Sequence, residues 1–188
     1  MGKYFGTDGF RGKANETLTA EKAFKVGRFL GWYYGQDHDD HRARIIIGKD
    51  TRRSSYMLED ALCAGLTSSG ADAYLLHVTT TPSVSYCCRT DGFDCGIMIS
   101  ASHNPYYDNG IKIMRANGQK IEAEIEEKVE AYIDGEIPEL PYAKEEAIGR
   151  TIDYSAGRNR YIGYLMTIPS KAFNGSASDW IVRMVRPA

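Results

Sequence analysis

Hydrophobic residues form short continuous runs in the N-terminal part of the chain. Three of these runs, at residues 44–48, 73–78 and 95–99, consist mainly of aliphatic side chains. Such runs are typical of strands that are buried on both faces of a sheet. A fourth run, at residues 111–114, follows the third by a loop too short for a crossover, so we predict that it pairs antiparallel.

Between and after these runs, apolar residues recur at steps of three and four, which is the spacing of an amphipathic helix. Thr19 is placed to cap the first helix, and Ser54 or Ser55 to cap the second. Helices are predicted over residues 19–35, 54–70, 81–89, 119–135 and 154–168. The alternation predicts an α/β fold with a doubly wound mixed sheet, mostly parallel with one antiparallel strand, flanked by helices.

The same pattern predicts how the chain is divided. Residues 1–150 are expected to form one domain that ends in a proline-containing linker at 136–150, and residues 151–168 are expected to form an exit helix. Residues 169–188 show no clear period. We interpret them as an atypical tail, left by a deletion, a truncated gene or a cloning artefact rather than by a new function.

The composition argues against a nucleic-acid partner and against a membrane partner. The 188 residues include 23 Lys and Arg against 25 Asp and Glu, a net charge of −2, so we expect no basic face for nucleic acid. No apolar run approaches the roughly 18 residues of a membrane span, and no signal peptide is recognisable, so we expect a cytoplasmic protein with no membrane partner. The four cysteines form no C-x-x-C motif and are expected to be reduced, buried thiols.

Polar loops follow three of the predicted strands, where the ligands of a doubly wound sheet bind. The most informative loop is SASHNP at residues 100–105, which presents the Ser102 hydroxyl on a short loop stiffened by Pro105. From these residues alone, a solvated turn is the more frequent alternative. Adjacent Ser102 and His103 do not indicate a hydrolase, because no G-x-S-x-G elbow surrounds the serine.

A glycine-rich segment, FGTDGFRG at residues 5–12, opens the chain. It does not have P-loop spacing, because Gly6 and Gly12 are six positions apart and Lys13 is followed by Ala14. Glycines here would let the main chain approach a ligand, with Arg11 as a bidentate phosphate donor. A plain turn is an equal alternative for this segment taken alone.

Read together, four motifs carry a specific resemblance. They are FGTDGFRG at residues 5–12, GKDTR at residues 48–52, SASHNP at residues 100–105 and DNGIK at residues 108–112. In this order and spacing the chain resembles the α-D-phosphohexomutases, from its first residue to about Ile168. The first and third motifs are most similar to the phosphoglucosamine mutase branch.

The resemblance implies roles for four residues. Ser102 would carry a phosphoryl group and would supply one oxygen ligand to a Mg²⁺ cofactor. Arg11 would clamp phosphoryl charge, Lys112 would stabilise charge and transfer a proton, and His103 would border the phosphoserine. In the family the other metal ligands lie in an aspartate loop of the form D-x-D-x-D/N-R, which this sequence lacks.

The activity implied is an isomerisation of glucosamine 6-phosphate to glucosamine 1-phosphate through a bisphosphate, for peptidoglycan precursor synthesis. The phosphosugar would be the substrate of a longer enzyme, and we expect this chain to be inactive alone, with residues 169–188 a remnant of the start of domain II. The alternatives are a glucose or mannose phosphate mutase fragment, or a non-catalytic remnant that binds phosphate or self-associates. A homodimer would use the exit-helix stripe of Tyr154, Tyr161, Leu165 and Ile168.

Overall fold

A computed structural model describes residues 2–36 and 41–168 of the chain. Within these residues the strands are β1 (Phe5–Gly6), β2 (Gly9–Lys13), β3 (Arg44–Lys49), β4 (Asp72–Val78), β5 (Cys95–Ile99), β6 (Asp108–Arg115) and β7 (Thr151–Asp153). The α-helices are α1 (Ala20–Gly35), α2 (Arg53–Ser68), α3 (Thr81–Thr90), α4 (Ala123–Asp134) and α5 (Ser155–Thr167). The predicted tail at residues 169–188 lies outside the described residues.

The strands form one mixed sheet in the order β1-β2-β6-β5-β3-β4-β7. Strands β5, β3, β4 and β7 run parallel, and β6 pairs antiparallel with β5, as predicted from its short connection. The hairpin of β1 and β2 adds further antiparallel pairs beside β6. The mixed α/β sheet flanked by helices is thus confirmed, with an N-terminal hairpin that the hydrophobic runs do not predict.

The helix starts test the capping predictions. Thr19 caps α1, with its Oγ1 accepting the Lys22 main-chain N–H at 3.3 Å. The prediction that Ser54 or Ser55 caps α2 is wrong, because Arg52 is the N-cap residue and Ser55 lies inside the helix. The Ser55 hydroxyl donates instead to the Asp50 carboxylate at 2.7 Å, which fixes the preceding loop rather than the helix end.

Helices cover both faces of the sheet. The larger core lies between the sheet and helices α1, α2 and α4, and a smaller one lies under α3. Helices α1 and α2 approach so closely that a Cβ atom on Gly65 would lie 2.2 Å from the Phe24 carbonyl oxygen. All four cysteines of the chain lie in the described part, and each is buried and free of a disulfide, as predicted.

The segment between α4 and β7 is fixed to the domain. Fully buried Arg28 donates to the carbonyl oxygens of Leu140 and Pro141, and its guanidinium stacks 3.7 Å from the Tyr142 ring centre. Strand β7 then pairs parallel with β4, so residues 151–153, assigned to an exit helix by sequence, extend the sheet. None of the helices in residues 2–36 and 41–168 is long and apolar enough to cross a membrane.

Candidate functional site

The loop that carries Ser102 follows strand β5 at the carboxyl end of the parallel strands. Ser102 is exposed and has a φ of 58°, a left-handed conformation that is strained for a residue with a side chain. Its main-chain N–H donates to Ser100 Oγ at 3.1 Å, and its own Oγ lies 3.4 Å from Nδ1 of exposed His103. The loop therefore presents a hydroxyl to solvent beside an imidazole.

One arginine holds this loop through its main chain. The Arg52 side chain is only 12% exposed and directs its guanidinium at the loop. It donates to the carbonyl oxygens of Ser102, Asn104, Pro105 and Asp108. A planar guanidinium can donate to several acceptors at once, so Arg52 alone stabilises the strained main-chain conformation of the Ser102 loop.

Arg52 is itself fixed by its neighbours. Its Nε donates to Asp50 Oδ2 at 2.9 Å, and its main-chain N–H donates to Asp50 Oδ1 at 3.0 Å. Buried Asn109 donates to the hydroxyls of Ser54 and Ser55 at 2.8 and 3.0 Å, which ties the start of α2 to strand β6. The GKDTR and DNGIK motifs thus build a rigid support for the serine loop.

Strand register places two cations on the same face of the sheet. In the antiparallel β2–β6 pair, Arg11 lies opposite Gly110, and Lys112, two positions further along β6, points to the same face and lies opposite Met98 of β5. Arg11 Nη1 donates to the Asn104 side-chain oxygen at 3.3 Å, which connects β2 to the Ser102 loop. The absence of a side chain on Gly110 matters here, because a Cβ would lie 3.2 Å from Arg11 Cγ.

A carboxylate joins the two cations. Asp8, in the turn between β1 and β2, accepts from Lys112 Nζ at 2.8 Å and also pairs with Arg11. Burial alone would raise the pKa of the Asp8 carboxyl, but the hydrogen bond and charge of Lys112 together with Arg11 hold that pKa below its usual value. Asp8 therefore carries its charge at neutral pH.

A cleft of about 540 Å³ opens beside this cluster. Its lining includes Asp8, Lys112 and Lys120, with Thr81 and Ser85 from the first turns of α3. The N-terminus of α3 gives the cleft a partial positive charge, but Lys112 and Lys120 are ion-paired with Asp8 and Glu126, so an anion that enters the cleft competes with these two carboxylates.

The four site residues predicted from the sequence lie in one region of the structure. The structure brings Arg11, Lys112 and the Ser102 loop into one network through Asn104 and Asp8, with His103 at its exposed rim. Sequence reasoning missed Asp8 and Arg52 as members of the site. Both stand inside recognised motifs, but only the register and loop geometry show what they contact.

The described residues do not by themselves fit Mg²⁺. No group of three or more His, Cys, Asp or Glu side chains among residues 2–36 and 41–168 could hold a metal ion. Ser102 offers one oxygen, and the nearest charged groups of the network include two cations, whereas Mg²⁺ needs near-octahedral oxygen ligands. A Mg²⁺ ion at this site would need further oxygen ligands from outside the described residues.

A mixed α/β/α sheet with a serine loop beside a cation pair defines the class of domain, and comparison with known families agrees. Residues 2–139 match the family model described as phosphoglucomutase/phosphomannomutase, alpha/beta/alpha domain I. The chain belongs to this family, which confirms the resemblance found in the sequence. Family members are mutases, a class of isomerase.

The chain is similar to curated phosphoglucosamine mutases. That of Lachnospira eligens is 68% identical over 175 residues, which cover 93% of this chain and 39% of the relative. That of Bacillus mycoides is 48% identical over 175 residues, again covering 93% of this chain and 39% of the relative. The chain thus spans about 39% of the length of these relatives.

A solved structure shows the same fold. A phosphoglucomutase/phosphomannomutase family protein from Burkholderia thailandensis superposes with a TM-score of 0.70 at 23% sequence identity. The superposition covers 88% of this chain and 35% of that protein. At this identity the likeness is one of fold alone.

Proposed function

We propose that this chain is the N-terminal part of a phosphoglucosamine mutase and that Ser102 carries the transferred phosphoryl group. The observation that carries this proposal is an exposed serine in a strained loop, fixed by Arg52 and linked through Asn104 to Arg11. Loops held in this way are typical of sites where a reacting group must be positioned. The similarity to phosphoglucosamine mutases supports an amino-sugar phosphate as substrate.

The proposed step is a balanced phosphoryl transfer. The bond between phosphorus and the phosphoserine oxygen breaks and a bond forms between phosphorus and a sugar hydroxyl oxygen. The hydroxyl proton passes to a base, and the released serine oxygen takes up a proton. Arg11 would neutralise charge on the phosphoryl oxygens, and Lys112 would stabilise charge and take part in the proton transfer. His103 borders the serine oxygen. Return of the other phosphate from the sugar bisphosphate to Ser102 completes the isomerisation.

These residues alone would not complete the cycle. The described part of the chain lacks a carboxylate cluster for Mg²⁺, so a metal would depend on ligands from elsewhere. We therefore propose that the 188-residue chain is inactive as a mutase by itself, and that the longer protein acts on a phosphosugar in the cytoplasm. Self-association through the stripe of Tyr154, Tyr161, Leu165 and Ile168 stays a prediction, although the rings of Tyr154 and Tyr161 already pack against those of Tyr74 and Tyr86.

Phosphoryl labelling tests the assignment. The longer protein that contains this chain is purified without phosphate on Ser102 and incubated with Mg²⁺ and glucosamine 1,6-bisphosphate, and peptide mapping locates the added phosphate. We expect phosphate on Ser102, none in Ser102→Ala, and an unchanged yield in Ser155→Ala, because Ser155 follows the edge strand β7, at the opposite edge of the sheet from β1 and β2. Label on another residue, equal label in Ser102→Ala, or no label at all would contradict the assignment.

A further inference from the structure

Asp8 has no role in the phosphoryl transfer proposed above, yet it occupies the centre of the cation pair. Its carboxylate contacts both Lys112 Nζ, at 2.8 Å, and the Arg11 guanidinium. The side chain is 54% exposed, whereas those of Arg11 and Lys112 are 28% and 15% exposed. A solvent-accessible anion therefore sits over two largely buried cations.

The backbone fixes this position. Thr7 and Asp8 form the two-residue turn between Gly6 and Gly9, which are paired across the β1–β2 hairpin. Gly9 has a φ of 88°, and a Cβ there would lie 2.5 Å from the Ile111 carbonyl oxygen. The turn therefore lies close against β6, directly over the strand that carries Lys112.

Arg11 keeps unused donor capacity in this arrangement. Its Nη1 donates to Asn104 and its Nη2 pairs with Asp8, while its buried Nε has no hydrogen-bond partner among the described residues. The two Nη atoms of a guanidinium carry four N–H donors between them, so Arg11 can serve a ligand with more acceptor oxygens than the Asp8 carboxylate. A phosphoryl group has three such oxygens and a larger negative charge.

We propose that Asp8 is an internal counter-anion, which holds Arg11 and Lys112 together in the unphosphorylated chain and is displaced from them by a phosphoryl group. The proposal rests on the proposed function in one respect, namely that the displacing group is the one carried by Ser102. The carboxylate keeps two neighbouring cations paired while the site holds no ligand. It also competes with every phosphate that enters, so it lowers the affinity of the site for phosphate.

Inorganic phosphate is the probe for this competition. The chain is titrated with phosphate, and binding is followed by NMR through the Arg11 Nε–H and Lys112 signals. We expect Asp8→Asn to bind phosphate roughly twofold to fivefold more tightly than the unchanged chain, because an exposed charge pair contributes up to about 1 kcal/mol. Addition of Arg11→Ala to Asp8→Asn should abolish this gain.

Asp134→Asn is the matched control. Asp134 is also a carboxylate held by a lysine and a second donor, with Lys3 Nζ at 2.8 Å and the Tyr4 hydroxyl at 2.6 Å, but it lies in α4 outside the site. It removes the same charge and should leave phosphate affinity unchanged. If Asp8→Asn destabilises the turn, Asp8→Ser provides a second uncharged variant for the same titration.

The outcomes separate this proposal from the proposed function. Unchanged or weaker phosphate binding in both Asp8 variants would overturn the counter-anion role, even if Ser102 were labelled as expected. A gain that survives Arg11→Ala, or one equalled by Asp134→Asn, would overturn it as well. Tighter binding without any labelling of Ser102 would support the counter-anion role and contradict the assigned phosphoserine.

Discussion

Two arginines in this molecule use the same chemistry for different ends. Arg28, in α1, is fully buried and donates to the carbonyl oxygens of Ser68, Leu140 and Pro141. Arg52, before α2, is 12% exposed and donates to the carbonyl oxygens of the Ser102 loop. Each guanidinium thus satisfies the main chain of a segment that has no regular hydrogen bonding of its own.

The two regions differ in what the held segment does. The segment held by Arg28 covers the core between α1 and α4, so losing it exposes apolar surface and leaves buried carbonyl oxygens without donors. The segment held by Arg52 faces solvent and carries the exposed residues Ser102 and His103. We infer that the first arginine determines mainly stability and that the second determines mainly the geometry of the serine.

The largest expected effect comes from Arg28→Ala. We expect the free energy of unfolding to fall by about 3 kcal/mol, because the buried Leu140 carbonyl oxygen and several part-buried acceptors lose their donor at once. Urea unfolding followed by circular dichroism measures this loss. Arg89→Ala, at an exposed residue in the last turn of α3, is the matched control and should change stability by less than about 0.5 kcal/mol. A loss below about 1 kcal/mol in Arg28→Ala would remove the contrast between the two regions.

Arg52→Ala should affect the labelling of Ser102 much more than it affects the stability of the fold. In the longer protein that contains this chain, we expect the rate at which Ser102 is labelled by glucosamine 1,6-bisphosphate to fall by about a hundredfold, since a displacement of the order of 1 Å can cost that much. Stability should fall by only about 1 kcal/mol, because the freed carbonyl oxygens lie near solvent. Time-resolved intact-mass measurement gives the rate, and urea unfolding gives the stability.

Arg52→Lys sharpens this prediction. Lysine keeps the charge but has no planar fork, so it cannot serve the carbonyl oxygens of Ser102, Asn104, Pro105 and Asp108 together. We expect the free energy of unfolding to be close to that of the unchanged chain. The rate of Ser102 labelling should still be slower by roughly tenfold or more. Full recovery of the labelling rate in Arg52→Lys would mean that charge alone, and not loop geometry, is what Arg52 supplies.

The sequence predicts the elements of the central sheet well because their signals are local. Long aliphatic runs such as residues 95–99 and the capped helix after Thr19 need no tertiary information. Strands β1 and β7 escape prediction because they are short, with two and three residues, and depend on neighbours for their pairing. Residues 136–150 were predicted to be a linker, but residues 140–142 are held against the domain by Arg28. This contact is not predictable from local sequence, because Arg28 is more than 100 positions away.

The site divides in a similar way. Ser102, His103, Arg11 and Lys112 stand in motifs that a resemblance can transfer position by position, although their roles stay predictions. The function of Arg52 and Asp8 depends on which atoms they reach, and that is set by the β2–β6 register and by the turn at Gly9. A sequence does not encode such contacts locally, so the structure was needed to find them.

The smallest expected effect is a pH dependence at the exposed region. The folded pKa of Asp8 is below its usual value because Lys112 and Arg11 outweigh the effect of burial, so its ion pairs stabilise the fold above the unfolded pKa of about 3.9. That contribution is lost as pH falls through the folded pKa.

Because the Asp8 side chain is 54% exposed, we expect Asp8→Asn to be less stable at pH 7 by at most about 1 kcal/mol. Urea unfolding at pH 7, 5 and 3 should show this deficit shrinking below about pH 4. The deficit of Arg28→Ala should change less over that range, since its closest acceptors are neutral carbonyl and hydroxyl oxygens. A deficit in Asp8→Asn that stays constant to pH 3 would show that the carboxylate contributes through the shape of the turn and not through its charge.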